Sequence, residues 1–111
     1  MPWLVRDGEV LASLEVATSW RDRRTGLMGR NGVEGALLLR PCASVHTARM
    51  RFDLDVAFCD EDLKVLETVR MRRWRLGMPR PGARCVLEAQ AGAFDRWRLR
   101  PGDQLEVKGE S

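Results

Sequence analysis

Short apolar runs of strand length, each shut off by turn-forming residues, limit how this chain folds more than any other feature. Leu54-Asp55-Val56-Ala57-Phe58-Cys59 leads into the acidic turn Asp60-Glu61-Asp62, and residues 64–71 return from it. Val65, Glu67 and Val69 fall on one face of the return strand, with Leu66, Thr68 and Arg70 on the other, as the two-residue period of a strand demands. Residues 3–5 and 10–16 flank Arg6-Asp7-Gly8-Glu9. Asp-Gly between apolar runs predicts a tight hairpin, because those residues tolerate the positive φ angles of such a turn. Ala36-Leu37-Leu38-Leu39 is too short for a helix and predicts a strand buried on both faces. Residues 85–89 and 104–107 complete the strands.

Helical signals are few. Thr18 or Ser19 can cap a helix, with Asp22 three residues beyond Ser19 as in a capping box. Gly26 and Gly29 keep that helix short. Residues 91–97 predict a second short helix. Gly77, Pro79, Pro81 and Gly82 mark residues 72–84 as a loop. About six short strands with one or two short helices predict a mainly β fold, a compact antiparallel barrel-like sheet. A chain of 111 residues suits a single domain spanning residues 1–111.

Composition narrows the functional classes. Hydrophobic residues at 44% supply one core, and 32% charged residues of both signs suit a solvated globular surface. The net charge of +3 is too mild to argue for nucleic acid by itself. Cys42, Cys59 and Cys85 are odd in number and irregularly spaced, which does not describe a disulfide framework. Cys59 and Cys85 lie in apolar runs and read as reduced core residues. No stretch reaches the ~20 apolar residues of a membrane span, and residues 1–7 do not resemble a secretory signal. The expectation is a cytoplasmic protein without membrane insertion. The sequence sets no oligomeric state.

Three stretches, in order and at matching spacing, resemble the domain-of-unknown-function 192 family. Arg23-Arg24-Thr25-Gly26-Leu27-Met28-Gly29-Arg30 is similar to its R-x-x-G-L-M-x-R. Ser44-Val45-His46-Thr47, followed by Asp55-Val56-Ala57-Phe58-Cys59-Asp60, is similar to its S-[aromatic]-x-M and L-D-[apolar]-A-F-x-D. Arg84 to Gly92 resembles its R-x-V-L-E-x-x-x-G, and Gly102-Asp103 its closing G-D. The resemblance implies a compact β-rich fold and brings no activity with it. His46-Thr47 stands where many members have Trp-Met, Asp53 replaces a common Pro, and Leu63 replaces the usual turn Gly.

Candidate site residues are weighed against plainer roles. Arg23, His46, Thr47, Asp55 and Glu88 form a candidate ligand-binding set, though Arg23 more simply pairs with a buried carboxylate such as Asp55 or Glu88. His46 with Asp55 is the one catalytic pairing worth naming. Ser44 is too close along the chain to complete a triad, and no nucleophile elbow is present. Cys42, His46, Cys59 and Cys85 have the composition of a zinc site without its spacing. No metal or cofactor is expected. Arg72, Arg73, Trp74 and Arg75 form a candidate partner-binding loop, whose plainer reading is a solvated loop with Trp74 folded back over the core. A protein partner suits it better than nucleic acid, since no nucleic-acid signature accompanies it. These readings favour a non-enzymatic module recognising a protein partner or small ligand over a small enzyme or a weak nucleic-acid binder.

Overall fold

The computed structural model describes residues 2–19, 22, 32–42, 52–72 and 79–109. Within them the chain forms β1 (Trp3–Arg6), β2 (Glu9–Ala17), β3 (Ala36–Leu39), β4 (Leu54–Cys59), β5 (Val65–Met71), β6 (Cys85–Gln90), α1 (Ala93–Trp97) and β7 (Leu105–Lys108). The mainly β expectation holds. Asp7 and Gly8 turn the first hairpin with φ of 51° and 79°, the paired positive angles that match strand twist. In the acidic turn, Asp60 Oδ1 accepts from the N–H groups of Asp62 and Lys64, each at 2.9 Å. The Asp22 N–H donates to Ser19 Oγ at 3.0 Å, the predicted capping bond. The rest of that helix lies outside the described residues.

The strands form one sheet in the order β5-β4-β6-β3-β2-β1-β7. Two features correct the sequence-based picture. First, the sheet is mixed, because β2 and β3 run parallel with Leu14 opposite Ala36 and Ala17 opposite Leu39. β2 is long enough to serve two partners. Its first half pairs antiparallel with β1, up to Trp3 opposite Ser13, and its second half takes β3. A parallel neighbour requires a crossover connection, and the chain between Ala17 and Ala36 makes it.

Second, the sheet does not close into a barrel. β5 and β7 are its edges. They meet at one end, where Lys64 and Gln104 form an isolated bridge. There the Val65 N–H donates to the Asp103 carbonyl at 2.9 Å, and the Leu105 N–H to the Leu63 carbonyl at 3.0 Å. β7 is only four residues long, so no ladder continues along β5 from this seam.

Both faces of the sheet are covered. One carries Leu14, Leu38, Ala57, Cys59, Leu87 and Ala89, over which Phe94 and Leu99 pack. The other carries Leu37, Leu39, Leu54, Val56, Phe58 and Val86. Coverage on both sides explains why β3, β4 and most of β6 are buried at every position, a pattern of continuous apolar runs and not of alternation. Among the described residues, no helix is long and apolar enough to cross a membrane.

Candidate functional site

The register of β4 and β6 decides which candidate residues meet. Asp55 lies opposite Ala89, and Val56 lies opposite Glu88. Directly paired residues share a face and successive residues alternate, so Asp55 and Glu88 point to opposite sides of the sheet. Both are 4% exposed. The structure therefore does not bring these two acids into one site. Glu88 makes an interaction of its own.

Asp55 is occupied by the fold. Its Oδ2 accepts from the N–H groups of Gly92 and Phe94, at 2.9 and 3.0 Å. Its Oδ1 accepts from Arg70 Nε at 3.0 Å. Arg70 is its partner across the β4–β5 ladder, and Arg70 also reaches Asp95 of α1 at 3.3 Å. The hydrogen bond and charge of Asp55, with help from Asp95, push the Arg70 guanidinium further above its already high range. Around these residues lies a small cleft of about 320 Å³ that includes Thr68 and Phe94. Its cation is answered by two carboxylates.

Arg23, His46, Thr47, Arg73, Trp74 and Arg75 lie outside the described residues. Arg72 is exposed and makes a contact of its own. Cys59 and Cys85 face each other across β4 and β6 as free, buried thiols. Burial, with the neighbouring Cys85 and Asp60 adding to it, pushes the Cys59 thiol up to about 12. Among the described residues no three metal-ligating side chains converge.

A larger cleft, about 580 Å³, opens on the opposite flank of α1. Ala93, Arg96 and Trp97 are spaced i, i+3, i+4 and turn one helix side toward it. The facing wall comes from Leu11 and Ser13 of β2, Val33, Gly35 and Gln90. Close backbone approach shapes that wall. A Cβ at Gly35, whose φ is +78°, would overlap Ser13 Oγ and the Ser13 carbonyl. Among the described residues the cleft holds one cation, one amide, one hydroxyl and one indole beside aliphatic carbon, and no carboxylate of theirs lines it. No sequence motif marks these residues. The helix over residues 91–97 was legible, but its meeting with residues 11–13 and 33–35 depends on the parallel β2–β3 pairing.

The family model of the domain-of-unknown-function 192 family, described as Uncharacterized ACR, matches residues 3–107. The chain belongs to this family. A UPF0127 protein of Thermococcus sibiricus is 30% identical over 103 residues, covering 87% of this chain and 67% of the relative. Two solved structures share the fold. One is a protein of unknown function from Novosphingobium aromaticivorans, with TM-score 0.79 and 22% identity over 95% of this chain and 82% of that one. The other, from Sinorhizobium meliloti 1021, is described as a "putative transcription regulator", with TM-score 0.80 and 22% identity over 96% and 91%. Among the described residues, three that carry the family resemblance do folding work in this chain. Asp55 anchors α1, Asp60 holds its turn, and Asp103 accepts from Arg6 at 3.0 Å.

Proposed function

We propose that this chain is a non-enzymatic binding module and that its ligand occupies the 580 Å³ cleft between β2, β6 and α1. The observation that carries this reading is the contrast between the two flanks of α1. On the Asp55 flank the charges of the described residues, Asp55, Arg70 and Asp95, are already answered within the fold. On the Arg96 flank, polar groups and apolar carbon share a concavity in the size range of small-molecule sites, about 300–1,000 Å³. The alternative enzyme, with His46 and Asp55 as its acid–base pair, draws no support from an aspartate already held by two backbone N–H groups and an arginine. The description of the Sinorhizobium neighbour does not carry over either, because 22% identity supports the fold alone.

Backbone NMR on the labelled chain tests the reading against a library of small fragments. Hits are expected to shift the amides of Ser13, Gly35, Ala91 and Arg96. Ala91→Phe, which fills the cleft, is expected to abolish those shifts while leaving the rest of the spectrum in place. Hits that map elsewhere, or that persist in Ala91→Phe, would overturn it.

A further inference from the structure

We infer that the edge strand β5 pairs with the β5 of a second copy of this chain, the two strands running antiparallel about a two-fold axis at Val69 and joining their sheets into one. This goes beyond the cleft reading and stands apart from it, because it concerns the other flank of α1 and rests on backbone groups.

The first support is where the backbone of β5 points. In an antiparallel ladder, successive residues aim their N–H and C=O groups to alternate sides of the strand. At the two ends of β4 the Asp53 carbonyl accepts from the Ala91 N–H at 3.1 Å and the Cys59 carbonyl from the Arg84 N–H at 2.8 Å, so the odd-numbered residues there bond toward β6. Leu54, Val56 and Phe58 then bond toward β5, where Met71, Val69 and Glu67 stand opposite them. Thr68 and Arg70 therefore aim their N–H and C=O groups away from the sheet. Among the described residues nothing is hydrogen-bonded to them there. Beyond β4, Val65 alone carries backbone bonds, to Gly102 and Asp103 at the seam. The cleft of about 320 Å³ opens alongside Thr68, Val69 and Arg70, which leaves this stretch of the edge open to an incoming strand.

The second support is the contrast between the two edges. β7 is four residues long and carries exposed Glu106 and Lys108, and short length and lysine are devices that keep a sheet edge from pairing. β5 is seven residues long, without lysine or proline. Its bulge falls between Val65 and Glu67, at the seam end, so Glu67 to Met71 runs uninterrupted. The third support is that this edge fits itself. A two-fold contact puts the same surface on both copies. Centred on Val69, it sets Thr68 of each copy opposite the partner's Arg70, so every outward N–H and C=O of these residues meets its complement. Val69 meets the partner's Val69 on the other face, and Glu67 meets the partner's Met71. Charge selects this register. A centre at Arg70 would oppose guanidinium to guanidinium, which destabilises a cross-strand pair, and a centre at Thr68 would run Arg70 onto the bulged Leu66.

Sedimentation equilibrium on the intact chain, up to about 1 mM, covers the affinity range of a small interface, and amide hydrogen exchange at low and high concentration locates the contact. The chain is expected to pass from one copy to two as concentration rises. The Thr68 and Arg70 amides are expected to slow about tenfold, as groups closed in nine-tenths of the molecules do. Thr68→Pro removes an outward N–H and no ladder bond, a placement that edge strands tolerate. It is expected to stay a single copy at every concentration with the rest of its spectrum retained. The exchange map needs no variant, so it decides the matter even if Thr68→Pro does not fold. A chain that stays single at the highest concentration overturns the pairing. So does a dimer that persists in folded Thr68→Pro, or one whose slowed amides lie on β7 or elsewhere. If the chain stays single and an added alternating valine–lysine peptide slows the Thr68 and Arg70 amides, the edge takes a foreign strand and the self-pairing fails.

Discussion

Leu63 sits at φ 69°, in the left-handed region, with its side chain 5% exposed inside the main core cluster. Two effects oppose each other at this one residue. The backbone conformation costs a residue with a Cβ about 1–2 kcal/mol, and this is the position where the family resemblance leads one to expect Gly. Burying a leucine side chain returns about 1.5–3 kcal/mol, so the chain keeps the side chain and accepts the strain. Leu63→Ala retains the strain and empties the site, an expected loss of about 2–5 kcal/mol. Leu63→Gly empties the site too but relieves the backbone, offset by up to about 1 kcal/mol of added unfolded-state freedom. Urea titration is expected to rank the midpoints leucine, then glycine, then alanine. An alanine variant as stable as the glycine variant would mean that the strain carries no cost here.

At the scale of elements, α1 is too short to hold itself and is tied down at both ends. Asp55 accepts from Gly92 and Phe94 at its start. Arg6 donates Nη2 to the Trp97 carbonyl at 2.7 Å and Nη1 to the Arg98 carbonyl at 3.2 Å at its end, while also pairing with Asp103. Asp55→Ala strips the acceptor from two backbone donors and is expected to cost about 3 kcal/mol or more. Asp55→Asn keeps one oxygen in place for both donors and is expected to cost distinctly less. Arg70→Ala, which removes an exposed partner, is expected to cost least of the three. Equal losses in Asp55→Ala and Arg70→Ala would mean that the ion pair, and not the two backbone donors, holds the start of the helix. Arg6→Lys exchanges a planar fork for a single ammonium that cannot reach all three acceptors, and thermal melts are expected to show it near Arg6→Ala. The elements themselves were legible: Asp7-Gly8 announced its turn, and residues 54–59 and 65–71 their hairpin. The ties were not, because Arg6 and Asp103 are brought together by the sheet, not by spacing in sequence. Nor was the cleft, whose walls come from residues 11–13, 33–35 and 90–97.

On the scale of the whole molecule, one sheet with a core on each face leaves its central strands sealed from water, and Cys59 is the titratable group that reports this. It is fully buried on β4, opposite Cys85. Burial, with Cys85 and Asp60 adding to it, raises the thiol from 9.0 to about 12. The consequence for stability follows from which state binds the proton. Below about pH 9 the thiol is protonated in both folded and unfolded chains, and stability does not respond to it. Between about 9 and 12 the unfolded chain releases the proton while the folded chain keeps it, so stability falls as pH rises, with the slope of one proton. No tyrosine is present to titrate alongside it. Guanidinium unfolding under reducing conditions is expected to give a steady midpoint to pH 9 and a decline above it. Cys59→Ala lowers the midpoint at neutral pH through the cavity it leaves, yet its decline above pH 9 is expected to be shallower, so that the two curves converge. Parallel curves would mean that the alkaline sensitivity arises at the surface and that water reaches the middle of the sheet.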